Sequence, residues 1–460
     1  MKDEFKIEVL GWLTGDAGDA EVRATNAEIA ILVNSECATE IEDRRALSVR
    51  KTIRASAYIL AYWLASNWWR LRWEPDNQAV SMGPESLDWQ MTHQLASSGG
   101  GYVWPSVKIA GDGNQMLVSC QSRGNEGDES ISPVRYLNSF EERISASSFE
   151  LGVGAFVELV LARLDAIRVR KTALHDLWSD IRAERKKKPM EIKRKLEAML
   201  GVDPDEQNKV IEGLLKKWQP RVGRLALEEI AAASGSPSIE SVLESSDKFA
   251  QSVNTFSTIA NYAEIKSSLA DKGPLGECVP WRLGKEAAYA IRDVWGLGRG
   301  PVNNVAISER LGLEEAVLSE THSSAPLAIG VRGSRDDQLK LLLKSSNRNS
   351  RRFEAARLFG DHLVIDTQDA WKPATHSLTA RQKFQRAFAA EFLCPSEELR
   401  DRYGQGALNV DDLDDRSYEI SREYEVSQQL VLHHLENRNV LDGTQQWGGY
   451  SQVRSYSGSY

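Results

Sequence analysis

The segment RRFEAARLFGDHLVIDTQDAWKPATHSLTARQKFQRAFAAEFLCP, residues 351–395, decides the fold of the C-terminal part of this 460-residue chain. Apolar residues recur at helical spacing in residues 353–363 and again in residues 384–393. A polar connection that contains Pro373 joins the two stretches. The pattern therefore predicts two helices that pack side by side.

Four motifs occur in the order found in the ImmA/IrrE family of zinc-dependent endopeptidases. GLGRGPV at residues 296–302 resembles the family's opening motif, and RRFEAARLFGDHL is similar to its active-site helix, RRFTLAHELGHLL. RAFAAEFLCP at residues 386–395 resembles the signature AN-x-FAAELLMP, and residues 419–441 resemble the closing helical segment. The resemblance covers about residues 283–441 and implies a zincin-like domain, in which one helix carries HExxH and the next region adds an acidic ligand.

The residues at the family's site positions depart from that pattern. The resemblance places Arg357 and Asp361 at the two zinc histidines and Leu358 at the general-base glutamate. The third ligand falls near Gln382 or Phe384, neither of which is a carboxylate. Because a catalytic zinc needs about three protein ligands and a base for its water, the resemblance implies a degenerate site with no catalytic residues and no expected cofactor.

Two hypotheses describe what replaces the metal. Arg357 and Asp361 are spaced i, i+4, so an ion pair between them is one prediction, with Leu358 filling the space of the lost base; the alternative is that both side chains are solvated. A relocated metal site formed by Asp361, His362 and His376 is the second hypothesis. Consecutive helical residues point about 100° apart, which argues against joint ligation by Asp361 and His362.

Composition places the chain among soluble globular proteins. Its formal charge is −9, its apolar content is 41% and its charged content is 27%. Four cysteines lie far apart without a CxxC pair, which is typical of a reducing cytoplasm and argues against a disulfide framework. The N-terminal residues do not resemble a signal peptide, and the apolar run at residues 57–69 is too short to span a membrane.

The predicted fold class is α+β, with several domains. We expect a mixed α/β domain at residues 1–140, a helical domain at 141–275, an ImmA/IrrE-like domain at 276–442 and a flexible tail at 443–460. Strand patterns occur at residues 5–12 and 28–33, a helix is predicted at 48–69, and Asp112-Gly113 predicts a hairpin between residues 107–110 and 116–120.

Three features raise the question of nucleic-acid contact. In SNWWRLRWEP, Arg70 and Arg72 alternate with tryptophans, a combination that suits base stacking and phosphate contact but also suits a core corner. Residues 182–195 form the densest basic run, and residues 411–436 resemble a helix-turn-helix pair. The candidate phosphate contacts are Arg70, Arg72, Arg185, Lys186, Lys187 and Lys188.

The interpretation favoured by these observations is a cytoplasmic, non-catalytic regulatory protein that binds a protein partner such as a repressor, a toxin or another regulator. The resemblance implies a bacterial setting of mobile elements, toxin-antitoxin systems, phage defence or stress regulation. An active zinc endopeptidase that cleaves a repressor is one alternative, and a DNA-binding regulator is another. The absence of HExxH from the sequence favours the binding protein.

Overall fold

The structure, a computed structural model, describes residues 3–15, 18–44, 46–76, 86–122, 134–235, 238–253, 255–275, 278–319, 325–365, 368–403 and 410–437. Helices and strands are mixed along the chain, which forms two compact units. The first unit ends at Ile211 and the second begins at Glu212. The tail expected at residues 443–460 lies outside the described residues.

The first unit contains short antiparallel sheets and helices. Its strands are β1 (Phe5–Trp12), β2 (Asn26–Val33), β3 (Glu36–Cys37), β4 (Ile41–Asp43), β5 (Ser48–Arg50), β6 (Ile53–Ser56), β7 (Ser106–Gly111), β8 (Gln115–Gln121), β9 (Val134–Tyr136) and β10 (Phe140–Ser145). Its helices are α1 (Ala20–Ala24), α2 (Ala57–Ser66), α3 (Trp68–Trp73), α4 (Leu87–His93), α5 (Ala146–Ala166), α6 (Ala173–Arg185) and α7 (Lys188–Met199), and α8 (Asn208–Gly213) crosses the unit boundary.

Three sheets organise the first unit. The first sheet has the order β1-β2-β3 with β6 also paired to β2, and the others have the orders β10-β8-β7 and β5-β4-β9. The predicted hairpin is confirmed, because β7 and β8 pair antiparallel around a turn in which Asp112 accepts hydrogen bonds from the backbone N–H groups of Asn114 and Gln115. Gly113 has φ +100° there, a conformation that favours glycine.

The helix predicted at residues 48–69 was wrong from residue 48 to residue 56. Residues 48–50 and 53–56 form β5 and β6, which pair with β4 and β2, and the helix begins only at Ala57. Apolar spacing continues through this segment, but pairing with neighbouring strands decides its conformation.

The second unit combines a helical layer with one small sheet. Its helices are α9 (Gln219–Val222), α10 (Arg224–Ser234), α11 (Ile239–Ser252), α12 (Tyr262–Leu269), α13 (Pro280–Val294), α14 (Asn304–Leu311), α15 (Ala316–Ser319), α16 (Arg348–Val364), α17 (Ala380–Leu393), α18 (Ser396–Tyr403), α19 (Val410–Tyr424) and α20 (Gln428–Asn437). Its strands are β11 (Ser257–Thr258), β12 (Ala328–Arg332), β13 (Gln338–Leu342) and β14 (Trp371–Ala374), in the antiparallel order β11-β13-β12-β14.

The domain boundaries expected near residues 140 and 275 fall inside the first and the second unit. Helix α5, expected to open a separate helical domain, packs against β1, and a Cβ on its Gly152 would lie 2.0 Å from the Phe5 carbonyl oxygen. Helix α10, expected in the same helical domain, packs against β14 in the second unit. These helices bury their apolar faces on sheets, so neither belongs to an independent bundle.

The two helices predicted from residues 351–395 are present as α16 and α17, and both pack in the core of the second unit. Phe359 of α16 lies edge-to-face against Phe388 and Phe392 of α17, with ring centroids 5.5 and 5.0 Å apart. Helix α13 packs on α17 through Gly284, where a Cβ would lie 2.8 Å from the Phe388 backbone nitrogen. The three helices therefore approach one another closely.

The loop GLGRGP and the final helix pair have packing partners in this unit. Arg292, 1% exposed, donates hydrogen bonds to the carbonyls of Gly298, Gly300 and Phe392, so the loop is fixed by a buried guanidinium. Glu425, in the turn between α19 and α20, pairs with Arg352 of α16.

Among the described residues, no helix is both long enough and apolar enough to cross a bilayer.

Candidate functional site

Both helices of the candidate site begin at a capping residue. Asn347 precedes α16, and its side chain accepts hydrogen bonds from the backbone N–H groups of Asn349 and Ser350. Thr379 precedes α17, and its hydroxyl accepts from the backbone N–H of Gln382 at 3.3 Å. Such caps satisfy N–H groups that have no partner within the helix. They fix the start of each helix and hence the direction of its polar side chains.

Arg357, which the resemblance aligns with the first zinc histidine, is almost completely buried. Its Nη2 donates hydrogen bonds of 2.6 Å to the Thr375 carbonyl and to Oε1 of Gln382. Burial lowers the pKa of Arg357 to about 9, so the side chain still carries its charge at neutral pH. A guanidinium offers only donors, so this side chain gives a metal ion no lone pair.

Asp361, at the position of the second histidine, is fully buried and paired with Arg381 of α17. The Arg381 Nε and Nη2 atoms donate to its two carboxylate oxygens at 2.8 and 2.6 Å. Burial by itself would raise the pKa of Asp361, but the Arg381 charge outweighs it and holds that pKa below its usual range. The predicted ion pair between Arg357 and Asp361 was wrong, because the facing helix supplies Arg381 in a two-pronged geometry.

Gln382, near the position of the third ligand, connects three elements. Its Oε1 accepts from Arg357 and from the Thr375 backbone N–H at 2.8 Å. Its Nε2 donates to Glu229 of α10 at 2.9 Å and to the Pro373 carbonyl at 3.1 Å. Both ends of the amide therefore have protein partners in place of a metal.

Glu229 is a buried carboxylate that the sequence analysis did not single out. Besides the Gln382 amide, its Oε2 accepts a hydrogen bond of 2.7 Å from the Thr379 hydroxyl. Burial raises the pKa of Glu229 above its usual value, against the opposing charge of Arg381. The carboxyl is thus held by neutral donors close to the Asp361–Arg381 pair.

Two further ionisable residues flank the pair. Asp369 accepts a hydrogen bond from the Ala226 backbone N–H at the start of α10 and lies 3.6 Å from Arg381 Nη1. Burial raises the pKa of Asp369, and burial lowers the pKa of Lys372, which is 1% exposed, to about 8. The cluster as a whole combines cations with carboxylates: Arg357, Lys372, Arg381 and Arg386 with Asp361, Asp369 and Glu229.

The residues of the relocated-metal hypothesis do not converge. His362 contacts the Asp336 carbonyl through Nε2 at 2.7 Å, and burial lowers its pKa to about 4, so the ring is neutral. His376 is exposed, whereas Asp361 is held by Arg381. In the part of the chain that the structure describes, no group of three or more His, Cys, Asp or Glu side chains is arranged to hold a metal ion.

Leu358 and Phe384, the other two positions aligned with the family's site, belong to the hydrophobic core. Both are fully buried. Leu358, which the resemblance aligns with the family's base, has a side chain that accepts no proton, and Phe384 packs against Phe388 with ring centroids 6.2 Å apart.

A cavity of about 350 Å³ opens beside Arg357 at the start of α16. It is called the α16 pocket below and is lined by Leu327, Lys344, Ser345, Ser346, Asn347, Ser350, Glu354, Arg357, Ala374, Thr375 and His376. Most of these side chains are polar, and the sequence analysis identified only Arg357 and His376 among them. The pocket has the volume of a site for a small ligand.

The candidate nucleic-acid contacts of the first unit are largely occupied by acidic or aromatic partners. Arg70, 3% exposed, pairs with Glu74, Asp88 and Asp203. Arg72 pairs with Glu150 and lies 3.8 Å from the Trp73 ring centroid. This geometry favours the interpretation of the tryptophan-rich segment as a core corner.

Basic residues of the run at 182–195 also form ion pairs. Arg185 pairs with Glu150 at 2.6 Å and Lys188 pairs with Glu191 at 2.8 Å, while Lys186 and Lys187 are exposed. Much of the positive charge of this run is therefore balanced locally.

The site as a whole is a buried, hydrogen-bonded polar network next to an open pocket. Its donor set does not fit a zinc ion, because a guanidinium, an amide and a carboxylate already bound by arginine stand where ligands are needed. The arrangement suits binding through the pocket, with the network holding the pocket wall in place.

Comparisons of this chain with protein-family models, curated proteins and solved structures gave no match.

Proposed function

We propose that this protein is a non-catalytic, cytoplasmic regulatory protein that binds a protein partner through a degenerate ImmA/IrrE-like domain in its second unit. The partner class is a repressor, a toxin or another regulator, as the resemblance implies. One observation carries the proposal: Arg357 and Asp361, at the two zinc-histidine positions, are each engaged by protein groups from α17 and the loop before it.

The chemistry of these groups supports a binding role over peptide hydrolysis. Hydrolysis by a zinc peptidase needs a Lewis acid and a base beside its water. At the aligned positions, Arg357 is cationic at neutral pH and repels a metal cation, and Leu358 offers no base. Hydrogen bonds and the Asp361–Arg381 pair hold α16 against α17 without a cofactor, so the domain retains its shape for recognition.

Metal content provides the first test. After addition of zinc and dialysis without chelator, we expect elemental mass spectrometry to find far less than one zinc per chain, because the described residues include no group of three or more His, Cys, Asp or Glu side chains arranged to hold a metal ion. Thermal unfolding should also be unchanged by zinc, since a ligand that binds only the folded state raises its stability. Stoichiometric zinc that disappears in Asp361→Asn, His362→Gln or His376→Gln would make the peptidase alternative primary.

The fate of a captured partner provides the second test. We expect a partner cross-linked to the full chain in its native host to be recovered at its full mass. Recovery of cleaved partner fragments that disappear when a chelator is added would contradict a non-catalytic role. The measurement is intact-mass spectrometry of the captured material with and without chelator.

A further inference from the structure

We propose that the α16 pocket binds a phosphate monoester. This inference deepens the proposed binding function and rests on it, because it names the chemical group that the domain recognises. It is carried by a buried arginine with an unused donor, by cationic and hydroxyl groups on the pocket wall, and by the volume of the pocket.

Arg357 provides the floor of the site. Both of its hydrogen bonds leave from Nη2, and its Nε is buried without a partner. A guanidinium has five N–H groups, and the one on Nε lacks an acceptor among the described residues. A buried donor without an acceptor costs free energy, which a ligand oxygen in the pocket would recover. Arg357 is only 1% exposed and lines the pocket, so water screens its charge less than it would screen a surface charge.

The wall of the pocket adds charge and hydroxyl groups. Lys344 and His376 are exposed at the pocket, and Ser346 and Ser350 place hydroxyls around it. The one carboxylate in the lining, Glu354, is already bound by the backbone N–H groups of Lys344 and Ser345 and by the Ser345 hydroxyl. The negative charge of Glu354 is therefore directed at the loop that it holds.

Phosphate fits this lining better than carboxylate does. A phosphate monoester carries a charge of about −1.5 to −2 at neutral pH and three acceptor oxygens that point in different directions. The pocket presents a guanidinium, a lysine and several hydroxyls on more than one wall, whereas a planar carboxylate uses donors in one plane. The positive end of the α16 dipole at this position favours the same charge.

The pocket is larger than a phosphate group. At about 350 Å³ it also holds the small alcohol to which the phosphate is attached, and Leu327 and Ala374 are its only purely aliphatic lining residues. With so little apolar wall, the alcohol part is small and polar. A phosphorylated serine of a partner protein and a free small phosphate ester share this chemistry.

Isothermal titration of the full chain with O-phosphoserine tests the proposal. We expect binding that Lys344→Ala weakens about tenfold, because one charge-assisted contact is lost. The matched control is Lys248→Ala, which removes an exposed lysine of the same unit outside the pocket and should change affinity less than about twofold. Circular dichroism confirms that both variants fold.

Three outcomes would overturn the proposal: no binding of O-phosphoserine to the wild-type chain, equal weakening by both lysine variants, or equally tight binding of acetate. If binding is seen, a phosphoserine peptide that binds more tightly than O-phosphoserine identifies a partner side chain, and equal affinity identifies a small phosphate ester. Zinc content measured on the same preparations tests the proposed function separately, since stoichiometric zinc would overturn that function without changing the effect of Lys344→Ala.

Discussion

Arg381→Met is expected to lower the free energy of unfolding by about 3 to 5 kcal/mol, because it leaves buried carboxylates without their nearest cation. Arg381 is 5% exposed, binds both oxygens of Asp361 and lies 3.6 Å from Asp369. Methionine has a similar length, so the lost charge and hydrogen bonds dominate the effect. Chemical denaturation, monitored by circular dichroism, measures the change.

The same variant should show a distinctive dependence on pH. Without Arg381, the folded-state pKa of Asp361 rises above its unfolded value, and the pKa values of Asp369 and Glu229, which burial already raises, increase further, although Lys372 remains nearby. Between those values the folded state binds more protons than the unfolded state, so stability falls as pH rises. We therefore expect a larger deficit at pH 8 than at pH 5.

Two comparisons sharpen this prediction. Asp361→Asn should cost less than Arg381→Met, because Arg381 keeps Asp369 as a partner. Arg416→Met is the matched control: its pair with Glu419 is about half exposed, so we expect a change of about 1 kcal/mol or less. An effect of Arg381→Met as small as that of Arg416→Met would show that the buried pair is not held as described.

Gly360→Ala is expected to destabilise the second unit by about 1 to 3 kcal/mol through overpacking. A Cβ at this position would lie 2.2 Å from Cδ1 and 2.5 Å from Cε1 of Phe388. Phe388 is itself fully buried and packed against Phe359 and Phe392, so its ring cannot move aside without disturbing the aromatic cluster. Thermal or chemical denaturation detects the loss.

A second glycine provides the control for helix propensity. Gly213 has helical φ and ψ angles, and a Cβ there would lie 3.6 Å from the end of the Glu240 side chain. Gly213→Ala should therefore be neutral or stabilising by up to about 1 kcal/mol. Combining Gly360→Ala with Phe388→Leu should cost less than the sum of the two single changes, because the smaller side chain removes the clash. Strict additivity would argue against this contact.

The apolar pattern of residues 351–395 was sufficient to predict α16 and α17, because their buried faces repeat at helical spacing. The start of α16 at Arg348 was missed, although Asn347 carries a capping signal. Strand β14 was interpreted as a polar connection, since Lys372 and Pro373 are rare in sheets. Pairing with β12 and contact with α10 bury it nonetheless.

The polar network could be predicted only in part. Spacing within one helix suggested Arg357 as the partner of Asp361, whereas the actual partner, Arg381, lies on the facing helix. Local spacing cannot rank partners that tertiary packing brings together. Glu229 could not be predicted for the same reason, because nothing in its own segment distinguishes it from Glu228, the other acidic residue of α10.

The contact between Glu229 and Thr379 also constrains how the chain folds as it is made. Its two residues lie 150 positions apart, so α10 leaves the ribosome well before its partner on α17 exists. At about 5 to 20 residues per second, that interval lasts roughly 8 to 30 s. During it, the carboxyl of Glu229 lacks both Thr379 and Gln382, and α10 lacks its packing partner β14 for most of that time. We therefore expect chaperones to bind the nascent second unit until α17, which ends at Leu393, has been translated.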